Sequence, residues 1–184
     1  FRLSVNQYAE MIRLDILTED DRVELLEGVL VAKMVRNPPH VLSTKLITDA
    51  LSRSLPAGWH VSKEDPARTS ESAPEPDCMV LRGGPRDYGD RWPGPNDMAL
   101  VVEVAESTLS RDRVVKQRIY ARAAIPVFWL VNLIDRRIEV YSDPSGPNDA
   151  PDYQTSRHYG PDEEIPLILD GLEIARFAVR DLLP

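Results

Sequence analysis

The sequence predicts an α/β protein built on a central β-sheet of mixed strand direction, flanked by helices. Three observations carry this. Apolar runs of strand length recur at 77–81 (DCMVL), 98–105 (MALVVEVA) and 127–131 (VFWLV). Segments of helical spacing separate several of them. Hairpin-like pairs at 22–35 and 127–141 add antiparallel neighbours.

Taken in order, Ser4 can cap a first helix whose Val5, Tyr8, Met11 and Ile12 share a face. Residues 22–35 (RVELLEGVLVAKMV) read as two strands broken at Glu27-Gly28, a turn signal, and Pro38-Pro39 ends that unit. Residues 40–55 then show helical spacing through Val41, Leu42, Leu46, Ile47, Ala50 and Leu51. A short strand is expected at 59–62. The polar, proline-rich stretch 64–76 should be irregular. Residues 82–97 (RGGPRDYGDRWPGPND) lack periodicity and should form an exposed, mobile loop. The run 98–105 is the most hydrophobic strand and belongs at the centre of the sheet. Ser110 can cap a helix reaching about Ala124, with Asp112 in its first turn. The alternating residues 137–141 should pair with 127–131. A turn-rich loop covers 142–152, and short strands with a final amphipathic turn complete the chain.

The 184 residues suit one domain with a core that needs no disulfide or metal staple. Only one cysteine is present, Cys78, so no internal disulfide can form, and its apolar setting suggests a buried, inert thiol. No apolar run approaches a membrane span and the first residues carry no signal-peptide pattern, so the expectation is a cytoplasmic protein without membrane contact. A net charge of −8 argues against a protein that coats nucleic acid. It leaves room for a nuclease, whose carboxylate metal site concentrates negative charge while a cation mediates contact with phosphate.

Candidate chemistry centres on three side chains. Asp77 opens a buried strand just after Pro76; it is either a site carboxylate or a strand-edge cap. Glu103 interrupts an apolar strand, where a carboxylate is costly unless paired, hydrogen-bonded or metal-bound. It should point away from Val102 and Val104. Its bland alternative is a buried ion pair with arginine. Lys116 shares a helix face with Asp112 and Tyr120, beside a stripe marked by Val115 and Ile119. Its bland alternative is a solvated salt bridge. Glu24, in the first hairpin strand, is either a third acid or an exposed strand residue. His40 reads first as a cap or surface residue and only second as a catalyst, and Trp129 reads as core. No glycine-loop nucleotide motif, no GxSxG and no Cys/His zinc set is present, whereas oxygen-rich ligands favour Mg²⁺ or Mn²⁺.

In this order ELLEG (24–28), His40, PD (76–77), LVVEV followed by ST (100–108), D-x-x-x-K-x-x-x-Y (112–120) and IPVFWLV (125–131) resemble the Uma2 family of endonucleases, a bacterial branch of the PD-(D/E)xK nuclease superfamily. The resemblance implies a restriction-endonuclease-like core. It implies that Asp77 and Glu103 bind Mg²⁺ or Mn²⁺ and that Glu24 completes the acidic cluster. The usual lysine two residues after the second acid is Ala105 here; the amine moves to Lys116 on the next helix, positioned by Tyr120 and Asp112. Where the family often has serine-proline this chain has Ala105-Glu106-Ser107, and where it often has aspartate after the tryptophan strand it has Asn132. The implied activity is hydrolysis of phosphodiester bonds in nucleic acid, DNA first, by a homodimer. A nuclease fold reduced to a binding or assembly module is the rival. Lys116→Ala is expected to abolish cleavage while largely sparing the fold. The 82–97 loop, with Arg82, Arg86, Arg91, Tyr88 and Trp92, is a candidate contact for nucleic acid or a partner.

Overall fold

The computed structural model describes residues 1–106 and 109–184. Its centre is a six-stranded sheet of β3 (Trp59–Ser62), β4 (Cys78–Arg82), β5 (Met98–Ala105), β6 (Val127–Asn132), β7 (Arg137–Pro144) and β8 (Tyr153–Tyr159), side by side in that order. Only the β5–β6 pair is parallel; the other four pairs are antiparallel. This is the mixed sheet the alternating runs predict. β5 lies inside the sheet and all eight of its residues are buried, which is why it carries no exposed face to make polar.

A smaller hairpin, β1 (Val23–Leu26) and β2 (Val29–Ala32), turns at Glu27 and Gly28, both with positive φ. Two left-handed residues match the twist of a two-residue hairpin. At Gly28 a Cβ would also stand 2.8 Å from Arg2 Cβ, so glycine is required twice over. Helix α1 (Val5–Arg13) packs on this hairpin through Val5 and Tyr8, and Ser4 caps it in a reciprocal box with Gln7.

The sheet is covered on both faces. On one, α2 (Pro38–Ser54) and the hairpin β9 (Glu164–Leu169)–β10 (Leu172–Ala178) bury Ile47, Leu51, Ile165 and Leu167 against Val102, Val104 and Trp129. On the other, Ile119, Tyr120 and Ala121 pack against Val101, Ala105, Phe128 and Leu130. The alternation along β5 thus divides its residues between two cores, and Glu103 belongs to the second face, opposite Val102 and Val104.

Three local expectations change. Pro38 and Pro39 begin α2 rather than only ending the hairpin, because proline lacks the N–H that the first turn leaves unbonded anyway. Ser110 is not a cap: the segment is already helical at α3 (Leu109–Arg111), passes through a π-turn (Asp112–Lys116) and continues as α4 (Gln117–Arg122). The family-like ST at 107–108 lies outside the described residues. Residues 82–97 are largely exposed, as the sequence predicts, but contain two 3₁₀ turns, Pro85–Tyr88 and Pro95–Asp97, where it predicts no regular structure. Arg91 pairs with Asp97 and stacks on Tyr88, and Arg82 pairs with Asp170 over Trp59.

No helix among the described residues is long and apolar enough to cross a membrane. Cys78 is buried in β4, and desolvation, reinforced by nearby Asp77 and Glu103, pushes its thiol well above the ordinary range. Iodoacetamide should therefore label the native protein at least about a hundredfold more slowly than the denatured chain; comparable rates would place Cys78 at the surface.

Candidate active site

β4 runs antiparallel to β5 with Cys78 opposite Val102, so the residue preceding β4 arrives beside Glu103. That residue is Asp77. Beyond the β4–β5 pairing the Val104 N–H loses its ladder partner and donates instead to Asp77 Oδ2 at 2.7 Å. Asp77 therefore caps the strand end, and its carboxylate also lines an open cleft.

Glu103 faces the helix that follows its strand. Lys116 Nζ donates to Glu103 Oε1 at 2.8 Å and Tyr120 Oη donates to the same oxygen at 2.5 Å. Glu24, brought in by β1, lies 3.3 Å from Lys116 Nζ and accepts the Glu75 N–H at 3.1 Å. Asp112 is buried at the start of the π-turn, whose wider winding keeps Asp112 and Lys116 both inward. Asp77, Glu103 and Lys116 are only 3–4% exposed. The solvated salt-bridge reading of Lys116 is thus excluded, and the partner of Glu103 is Lys116 rather than an arginine. Glu24 is likewise buried rather than an exposed strand residue. Tyr120 corrects its expected role: it holds Glu103 directly instead of positioning Lys116.

Burial is the main force raising the Glu103 carboxyl to about 8; Lys116 opposes it, while Asp112, Asp77 and Glu24 add like-charge repulsion. Burial also disfavours the Lys116 charge, but Glu103, Glu24 and Asp112 outweigh it and hold the ammonium well above the ordinary lysine range. The surrounding acids therefore favour the ammonium form of Lys116.

His40, on the first turn of α2, places Nε2 3.2 Å from Asp77 Oδ2, and Arg36 Nε lies 3.5 Å from Asp77 Oδ1 while its other end pairs with Glu64 at 2.6 Å. The cleft above the acids is walled on one side by residues 33–37 and on the other by Glu106, Arg111 and Asp112. Asn37 Nδ2 donates to Glu106 Oε2 and ties the walls together. Arg36, Arg111 and Asn37 were not legible as site residues in the sequence. Their partners lie far along the chain, and no local pattern marks such pairs.

Among the described residues no three His, Cys, Asp or Glu side chains converge as a ready-made metal cage. The donor chemistry nevertheless fits a hard divalent cation. Mg²⁺ keeps several waters and takes one or two carboxylates rather than a closed cage. Asp77 and Glu103 supply two, and a cation there would relieve the like-charge repulsion that adds to burial in raising Glu103.

A family model described as "Uma2: Putative restriction endonuclease" matches residues 5–179. Among solved structures, "a putative nuclease belonging to DUF820 from Anabaena variabilis ATCC 29413" superposes with a TM-score of 0.72 at 14% identity, covering 98% of this chain and 97% of that one. At that identity the match shows the fold, a restriction-endonuclease-like core. No curated protein matches the chain.

Proposed function

Because the chain belongs to the Uma2 family, we propose that it is a divalent-metal-dependent endonuclease that hydrolyses phosphodiester bonds, with Asp77, Glu103 and Lys116 at its centre. The observation that carries this reading is the Lys116–Glu103 contact at 2.8 Å beside Asp77: two acids and a fixed ammonium, buried at the base of an open cleft. The rival reading, a binding module with no chemistry, gives no role to the burial of Glu24, Asp77, Glu103, Asp112 and Lys116 at one cleft.

Asp77 and Glu103 would hold Mg²⁺ or Mn²⁺. When bound, the ion supplies charge neutralisation at the scissile phosphate and lowers the pKa of attached water. Asp77 is oriented for this by the Val104 N–H and by His40, and Glu103 by Tyr120 and Lys116. Lys116, held charged by its acids, stabilises the negative charge that grows on the phosphoryl oxygens, and it orients water as a donor rather than by taking its proton. Glu24 acts through Lys116, holding its Nζ at 3.3 Å.

The test is a cleavage panel in Mn²⁺ with supercoiled, linear and single-stranded DNA and with RNA. Cleavage that stops with chelator and falls at least about a hundredfold in Asp77→Asn is expected. Full activity of Asp77→Asn, or cleavage indifferent to chelator, would overturn the assignment. Ca²⁺ should support binding but little turnover, because its looser coordination positions water poorly.

A further inference from the structure

The cations that line the cleft differ in how far their donors are spent. Lys33 Nζ lies 2.5 Å from a Glu75 oxygen, Arg36 Nη1 2.6 Å from Glu64, and Lys116 Nζ 2.8 Å from Glu103. Arg111, at the end of α3, has no carboxylate so close. Among the described residues its one hydrogen bond runs from Nη1 to the Ala32 carbonyl, at 3.2 Å. We propose that Arg111 grips a backbone phosphate of the substrate, with its guanidinium donating to the phosphate oxygens. The proposal rests on the nuclease reading and adds to it the residue that holds the substrate.

The donor count supports this. A guanidinium carries five N–H donors and must find acceptors for them, in the protein or outside it. The Nε–H of Arg111 is buried and has no hydrogen-bond partner among the described residues. Asp112 Oδ1 lies 3.9 Å from Nε, and Glu24 Oε1 lies 4.0 Å from Nη2. Both are within reach of charge attraction and beyond hydrogen-bonding distance. These acids therefore keep the guanidinium at the cleft while leaving its donors unspent. An unmet donor in such a place carries a cost that an incoming acceptor recovers.

Arg113 shows what a purely structural seat looks like in the same segment. Two residues further on, it spends its fork on Glu139 at 2.5 and 3.1 Å. Arg111 has no such clamp, and it is also the more accessible of the two least committed positions beside the acids: its side chain is 24% exposed against 5% for Lys116. A ligand arriving from solvent can meet Arg111 while Lys116 stays buried next to Glu103. The ligand chemistry follows from the group. A planar fork of donors matches paired oxygens, and in a nuclease the paired oxygens on offer are those of a phosphodiester.

The experiment is fluorescence anisotropy with a labelled 20-nucleotide DNA strand and the corresponding duplex, in Ca²⁺ so that turnover is slow, repeated over a series of salt concentrations. The parent protein, Arg111→Gln and Arg111→Lys are compared, with circular dichroism confirming the fold. Arg111→Gln should weaken binding of the preferred form about tenfold, the worth of a charge-assisted hydrogen bond. It should also flatten the plot of log affinity against log salt by one phosphate's share, about 0.7 for the strand or 0.9 for the duplex. A residue that only braced the fold would leave that slope unchanged. Arg111→Lys keeps the charge and should restore the slope with only part of the affinity. Parent-like affinity or an unchanged salt slope in Arg111→Gln overturns the inference and leaves the nuclease assignment standing. If the glutamine variant does not fold, the lysine variant decides: parent-like affinity there overturns the forked grip. A parent protein that binds neither DNA form and cleaves nothing in Mn²⁺ overturns the nuclease reading, and this inference with it.

Discussion

Lys116→Ala should reduce cleavage at least about a thousandfold, because it removes the one fixed cation buried between Glu103 and Glu24. The sequence suggests that this change largely spares the fold, and the burial of Lys116 sets the remaining cost. Lys116 is buried and is the near counter-charge of both acids, so its loss leaves carboxylates in a dry site and should cost about 3–5 kcal/mol. For a chain of this length that lowers Tm by about 10 °C. Lys116→Arg separates the two effects. It keeps the charge and should recover part of the stability, but a planar fork cannot occupy the seat of a compact ammonium, so activity should stay low. Thermal melts and single-turnover cleavage of the three proteins decide it. Near-normal turnover in the alanine variant would remove Lys116 from the chemistry.

The second large effect lies outside the cleft. Glu139 on β7 is fully buried, yet it accepts hydrogen bonds from Arg113 at 2.5 and 3.1 Å, Asn132 at 3.0 Å, Arg137 at 3.1 Å and Tyr141 at 2.8 Å. Burial alone would raise its carboxyl; these donors, Arg113 foremost, overcome that and hold it down at about 2. The sign of the pH effect follows. A carboxylate depressed in the folded state stabilises it above the ordinary carboxylate pKa, and that contribution disappears as pH falls from about 4.5 towards 2. Glu139→Ala should destabilise the protein by about 3–5 kcal/mol at neutral pH, since it leaves buried donors and a guanidinium unpaired. The loss should shrink in acid, where the parent also surrenders the interaction. Denaturant titrations at pH 7 and pH 3 measure this; an equal deficit at both would mean that packing rather than charge holds the site. Arg113 sits on the same π-turn as Lys116. The network therefore also fixes the turn that presents the lysine, and Glu139→Ala should lower activity more than its stability deficit alone explains.

How much of this the sequence displays depends on the range of the interactions. The apolar strands and the facing of Glu103 follow from alternation along one segment, which is local and readable. The dyad spacing of Asp112, Lys116 and Tyr120 marks one helix face, but it does not say whether that face is wet. Val115 and Ile119 suggest a buried stripe beside it, and they do pack on the core, but the structure buries the charged row as well, because Glu103 and Glu24 wait there from two different sheets. Asn132 shows the same limit. In the sequence it is only a departure from a family-like aspartate. In the structure its amide donates to Glu139, a place where a second carboxylate would repel. Part of the order of loop 82–97 comes from Asp170, a distant partner of Arg82 with no local signal, and part from the Arg91–Asp97 pair within the loop.

The central claim is that Asp77 and Glu103 together hold a divalent cation. Calorimetric titration of Mn²⁺ into the metal-free protein tests it most directly, with Asp77→Asn and Glu103→Gln in parallel. The account predicts a saturable site in the parent protein that both substitutions remove or weaken at least about tenfold. Undiminished Mn²⁺ binding in both variants, or no binding in a parent protein that still cleaves, would contradict it.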